Sequence, residues 1–233
     1  MSDSASPRRA AVSRERALQA AVELADRNGI DAVSMRNLAA QLDVVPMALY
    51  KHVANKEDLL GGMADVLISE YAPAIIGCDW KAAVRHRILS ARDVLIRHPW
   101  ARQVFETRRK RTPSVLGYMD SLARMFIAGG VSVDITHHAM HALGHRIWGF
   151  SPEAFEDPNA LPVPDDPEEQ KAMIAYVSAT YPSIFAIAME SSGGTPGGQG
   201  CDEQFEFEFA LDLLLESFER LHAAGWISRK AAK

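Results

Sequence analysis

Apolar residues recur along this chain at three- and four-residue intervals from Ser13 almost to its end. No stretch of strict alternation interrupts them, so the pattern predicts helices and no strand. Ala17, Leu18, Ala21, Val22, Leu24 and Ala25 mark one face of a first helix, and Asn28-Gly29 is its stop signal. Ser34 stands as the N-cap of a short helix carrying Leu38, Ala39 and Leu42. After a tight turn at Asp43-Val44, a second short helix is expected over 46–53. Pro46 suits its first turn, where the missing N–H would be unpaired anyway. Asn55 caps the next helix, with Asp58 three residues on in a capping-box position, and that helix runs to about Tyr71. Residues 73–79 break the pattern. Helices are then expected over 80–98, 99–107, 113–128, 133–150, 167–191 and 203–224, with Gly129-Gly130 separating two of them.

The fold class read from this pattern is all-α. An N-terminal unit of three helices is joined by a connecting helix to a second, larger helical domain; the resemblance set out below implies that the first is a helix-turn-helix domain and the second a ligand-binding and dimerisation domain. The expected divisions are a disordered tail over 1–12, the three-helix domain over 13–60, the second domain over 61–226 and a tail over 227–233. Two loops are long: 151–166, rich in proline and acidic residues, and 192–202, rich in glycine.

Composition changes this picture little. With 233 residues, 48% of them hydrophobic, the chain is long enough to bury a sizeable core. Net charge is -5, so the totals carry no basic footprint of nucleic-acid binding. Over 1–60 the positive and negative residues balance, and what matters is whether the positive ones share a face. Cys78 and Cys201 lie far apart and suit free thiols in a reducing cytosol. Residues 1–10 contain no apolar leader, and no apolar run approaches membrane length. The expectation is a soluble, cytoplasmic protein. A nucleophile elbow, a phosphate loop beside a strand and a zinc-protease motif are all absent from the sequence, so no enzyme activity, cofactor or metal is expected.

The informative stretch is 34–59, where two short helices meet across a four-residue turn and Ala39 is small at their crossing. That is a helix-turn-helix arrangement, whose second helix lies in the DNA major groove. Leu49-Tyr50-Lys51-His52-Val53 followed by Asn55-Lys56-Glu57-Asp58-Leu59-Leu60 resembles the signature of the TetR family of bacterial regulators. Ala20-Ala21-Val22-Glu23-Leu24-Ala25 and Gly29 resemble its opening helix. Two positions depart from the pattern: Asp43 stands where the family usually has Gly, and Val45 where a capping residue is common. The resemblance implies phosphate contacts for Tyr50, His52 and Lys56, a groove-directed Lys51, and base reading by Arg36. Pro46, Met47 and Ala48 expose small or apolar groups of the kind that touch thymine methyls. With Ser34 these make the expected DNA-facing set. Arg8, Arg9 and Arg14 form either an arm over the DNA or a solvated tail.

The remainder resembles the tetracycline-repressor-like branch through His98-Pro99-Trp100, Leu143-Gly144-His145 and the stretch Phe205 to Leu214. That branch holds its drug with magnesium and a histidine. Phe105 stands at the histidine's position here, which argues against a chelated drug. The expected ligand-facing set is Trp100, Phe105, Met119, Phe126, Met140, His141, His145, Trp148 and Phe185. His141, His145 and Trp148 share a helix face by spacing, and polar rings on an apolar face suit a largely apolar pocket. His137 and His138 add a metal-ligand spacing with no carboxylate or cysteine beside it. The implied function is a homodimeric, ligand-responsive regulator, most simply a repressor released from operator DNA by a small, partly apolar effector. Two alternatives stay open: an architectural DNA-binding protein without effector, and a helical enzyme keeping a vestigial DNA-binding unit.

Overall fold

The structure is a computed structural model. It describes residues 12–75, 77–107, 111–148, 166–191, 193 and 202–228, with side chains for all of these except 145–148 and 191. The expected tails, most of the two long loops and Cys201 lie outside the described residues. Every element among the described residues is a helix.

α1 (Arg14–Asn28) begins at a Ser13 cap whose hydroxyl accepts from the Arg16 N–H, and it ends at Gly29, whose φ of 78° an L side chain rarely adopts. A single 3-10 turn, Ile30–Ala32, leads to α2 (Met35–Gln41). The Ser34 hydroxyl caps α2 by accepting from the Asn37 N–H. α3 (Pro46–Leu49) is shorter than the spacing predicts, because residues 50–52 close as turns rather than as a continuing helix. The turns keep a helical bond, Val53 N–H to Leu49 O at 2.9 Å. α4 (Lys56–Ser69) carries the expected reciprocal cap: Asn55 accepts from the Asp58 N–H, and the Asp58 carboxylate accepts from the Ala54 N–H.

α5 (Trp80–Arg97) starts at Asp79, which accepts from two backbone N–H groups, and α6 (Ala101–Thr107) follows the His98-Pro99-Trp100 corner. α7 (Pro113–Ala128) and α8 (Val133–Trp148) come next. The single helix expected over 167–191 is two, α9 (Pro167–Thr180) and α10 (Pro182–Ser191), bent by 118°. Pro182 has no N–H to give and disfavours helical geometry at the residue before it, and Tyr181 sits at φ -129°, ψ 60°. α11 is Glu203–Ala223.

The described residues group into two compact units, one within Met1–Phe150 and Phe218–Lys233, the other within Ser151–Ser217. The division expected at residue 60 falls inside the first unit. There α4 packs on α1 at one end and on α6 and α7 towards the other. Gly62 permits the close crossing with α1: a Cβ there would stand 2.3 Å from Leu18 Cδ2. α7 lies between α5 and α8, and Phe126 is sealed between the rings of Trp80 and Phe218. In the second unit α9 and α10 pack on each other. No single helix among the described residues is long and apolar enough to cross a membrane.

Candidate DNA-reading surface and ligand cavity

α2 and α3 meet at a buried wedge of Leu38, Ala39 and Leu49, with Val53 behind it. The turn between them is closed by Val44 N–H to Ala39 O at 2.9 Å and by Asp43, whose φ is 55°. Aspartate tolerates this left-handed conformation better than most residues, so the departure from the family's Gly keeps the turn. The wedge turns one face outward. Arg36, Val45, Pro46, Met47, Tyr50, Lys51 and Lys56 are exposed, and Ser34, Ala48 and His52 half-buried. The nine residues expected to face DNA therefore lie on two adjoining short helices, the turn after α3 and the start of α4. Ser34 differs from the others in that its oxygen already serves the α2 cap.

Arg14 does not belong to a free arm. Its guanidinium makes a bidentate pair with Asp58, at 2.7 and 2.9 Å, and also donates to the His52 carbonyl at 2.9 Å. Bonding to that carboxylate raises the Arg14 pKa. The pair pins the start of α1 to the start of α4 and holds the turn that follows α3. Arg8 and Arg9 lie outside the described residues.

In the same unit α6, α7 and α8 enclose an open cavity of about 830 Å³. Four of the expected ligand-facing residues line it: Phe105, Met119, Met140 and His141. Two others stand elsewhere in the unit. Phe126 belongs to the core described above, and the Trp100 indole donates to Asp26 at 2.6 Å. Apolar spacing cannot separate core from cavity wall, and Trp100 falls in the turn between α5 and α6 rather than on a helix face. Phe185 lies on α10 in the other unit, and the side chains of His145 and Trp148 are outside those described.

The wall also holds residues outside the expected ligand-facing set. α7 contributes Leu116, Asp120 and Ile127, and α8 contributes Val133, Thr136 and His137. Thr136 is the most informative of these. It is 3% exposed, and its hydroxyl has no hydrogen-bond partner. A buried, unsatisfied hydroxyl costs free energy unless something binds it. The recurrence 133, 136, 137, 140, 141, 144 on α8 was readable as one helix face, but the orphaned hydroxyl was not. His137 and His141 place their ring centroids 4.7 Å apart. No three His, Cys, Asp or Glu side chains converge as a metal site among the described residues. Phe105 offers no metal donor, so the donor set does not fit a chelated ion.

α1, the end of α4 and the start of α6 are joined by a polar corner in which His98 and Trp100 are buried. Asp26 of α1 accepts from the Trp100 indole and stands 2.7 Å from His98 Nδ1. Glu70, just past α4, pairs with Arg97 at 2.8 Å and lies 3.6 Å from His98 Nε2. The corner that opens α6, whose second turn carries Phe105 and Glu106 to the cavity, is thereby tied to α1 and to the end of α4.

Residues 17–63 match the family model described as bacterial regulatory proteins, tetR family, and residues 73–221 match the tetracyclin repressor-like C-terminal domain. The chain is 30% identical over 216 residues to the class D tetracycline repressor protein of Escherichia coli, covering 90% of each. It is 32% identical over 120 residues to an HTH-type transcriptional regulator of Saccharopolyspora erythraea, and it spans about half the length of that relative. The structure of apo ActR from Streptomyces coelicolor aligns with a TM-score of 0.72 over 93% of this chain and 99% of its own. At 20% identity that is a likeness of fold alone.

Proposed function

This chain belongs to the tetR family of bacterial regulatory proteins, and on that premise we propose that it is a repressor released from its operator by a small effector bound in the α6–α8 cavity. The observation that carries this reading is the Asp26–Trp100–His98 corner, which gives the cavity a mechanical route to the reading helices. An effector against Phe105 and Thr136 displaces α6; Trp100 transmits the displacement to α1 through Asp26, and His98, beside Glu70, transmits it to the end of α4. The spacing or tilt of the reading helices then changes. Such a ligand acts only through its differential affinity for the two arrangements. The cavity's apolar wall and few polar groups suit a partly apolar effector.

We further propose that the working form is a homodimer. Phe205, Phe209 and Leu213 form an exposed stripe along one face of α11, with the two phenylalanine rings stacked at 6.2 Å. A second copy of the chain covers that stripe. The two heads then meet successive major grooves about 34 Å apart on a pseudo-palindromic operator.

The test is titration of fluorescent duplex DNA from beside the protein's own gene, against scrambled duplex of equal length, at several salt concentrations. A preference of about a thousandfold or more is expected. Tyr50→Ala with Lys56→Ala should abolish it and flatten the salt dependence of binding. Equal, steeply salt-dependent binding to both duplexes would replace this reading with an architectural one.

A further inference from the structure

We propose that the effector is an organic monoanion, an apolar body carrying one carboxylate, and that Arg111 binds the carboxylate at the exposed rim of the α6–α8 cavity. This rests on the regulator reading above and deepens it by naming the charge of the ligand. The apolar surface of the cavity comes from Leu116, Met119, Ile127 and Met140. Its charged side chains, apart from the two histidines, are Glu106, Asp120 and Arg111. Glu106 pairs with Arg102 one turn back on α6 at 2.8 Å, and Asp120 pairs with Arg124 one turn on along α7. Each pair is neutral as a whole, so neither carboxylate gives the site a net negative potential that would draw a cation. Arg111 is exposed and, among the described residues, has no carboxylate partner. His137 and His141 are neutral or positive and never negative, so they do not oppose an anion.

The balance of charge in the wall is therefore positive, and it sits on one guanidinium. That group is always charged, and its parallel N–H donors match the two oxygens of a carboxylate. Arg111 stands one residue before Thr112, whose hydroxyl donates to Asp65 of α4 and accepts from the Val115 N–H as the cap of α7. The backbone beside Arg111 is thus held in place, and binding has chiefly the side chain to order. The Thr136 hydroxyl is neutral and orients the ligand without selecting its charge. One guanidinium also neutralises one carboxylate, whereas a phosphate monoester brings nearly two charges at neutral pH. A cavity of about 830 Å³ leaves room for a body of several rings or a long chain against the apolar wall.

The experiment uses three probes that share one ring system and differ in charge: pyrenebutyrate, pyrenebutanol and pyrenebutylamine. Binding of each to the full-length protein is titrated at neutral pH by energy transfer from tryptophan, and each is then added to protein bound to its operator. The carboxylate should bind about tenfold tighter than the alcohol, the lower end of what a hydrogen bond to a charged group contributes, and the amine should bind most weakly. Pyrenebutyrate should also release the operator. Arg111→Gln should bring carboxylate and alcohol level, Arg111→Lys should restore part of the preference, and added salt should shrink it in the parent. Alcohol or amine binding as tightly as the carboxylate, a preference that survives Arg111→Gln, or binding of none of the three overturns the anion reading. A sequence-specific preference for the operator, measured without probe, leaves the regulator reading standing in each of those cases. A carboxylate preference set by Arg111, with operator occupancy unchanged at saturating probe, keeps the anion site and overturns the release mechanism.

Discussion

Single residues decide whether the reading surface holds its shape and whether the cavity answers a ligand. Asp43 carries φ 55° in the turn between α2 and α3. Asp43→Gly should change stability by less than about 1 kcal/mol, since glycine adopts that conformation freely. Asp43→Val should cost about 1–2 kcal/mol, because a β-branched residue is strained there, and operator affinity should fall with it. Thermal unfolding of the two variants checks the pair; equal loss from both would mean that the aspartate side chain, not its φ, matters. Thr136 predicts the opposite combination of effects. Thr136→Val keeps the shape and deletes a buried hydroxyl without a partner, so stability should rise by about 1 kcal/mol. Effector-driven release from DNA should weaken in the same variant. A release curve superimposable on the parent's would remove this hydroxyl from the ligand site. Of these two residues only Asp43 was legible in the sequence, as a departure from a motif. The unmet hydroxyl exists only once α8 is packed.

The caps of α2 and α4 were legible at the scale of the element, because Ser34 and Asn55 satisfy backbone groups within three residues. Two lengths were not. α3 stops at Leu49 although apolar spacing continues to Val53, and the break at Pro182 was hidden by unbroken apolar periodicity on both sides. Periodicity reports which face is buried and says little about where a helix turns. One contact beyond the helices gives a pH prediction. The Asp134 carboxylate, at the start of α8, accepts from the backbone N–H and hydroxyl of Ser228, beyond α11. Those bonds, with a smaller contribution from His138, hold its pKa below the ordinary 3.8. The tether is therefore complete above that ordinary value and is lost as pH falls through the lowered one. The amide resonance of Ser228 should follow a titration with a midpoint under 3.8. In Ser228→Ala the Asp134 midpoint should move upward; an unchanged Asp134 titration would exclude the tether as its cause.

The whole molecule must convert occupancy of a cavity into a change at DNA, and the order of its packing restricts how. α1, α4 and α6 meet at Asp26, Glu70, His98 and Trp100, so a movement of α6 cannot leave α1 where it was unless those bonds break. The sequence offered His98-Pro99-Trp100 as a family resemblance and set Trp100 in the ligand wall. Its partner lies 74 positions earlier in the chain, a separation that local pattern cannot bridge. Trp100→Phe keeps the ring's bulk and deletes the donor to Asp26, and Asp26→Asn keeps an acceptor while removing the charge beside His98. Both variants should bind effector within about threefold of the parent, because neither residue touches the cavity, yet the effector should release less DNA. Coupling between two such sites is typically about 1–3 kcal/mol, or 5- to 150-fold in affinity. Loss of the corner should remove most of it. Linkage requires the reciprocal effect too: operator DNA should weaken effector binding in the parent and do so less in Trp100→Phe. Calorimetric titration of effector with and without operator measures that difference. If the ratio of the two affinities were the same in parent and variants, the signal would run through the α4–α7 contact and its Thr112–Asp65 bond instead.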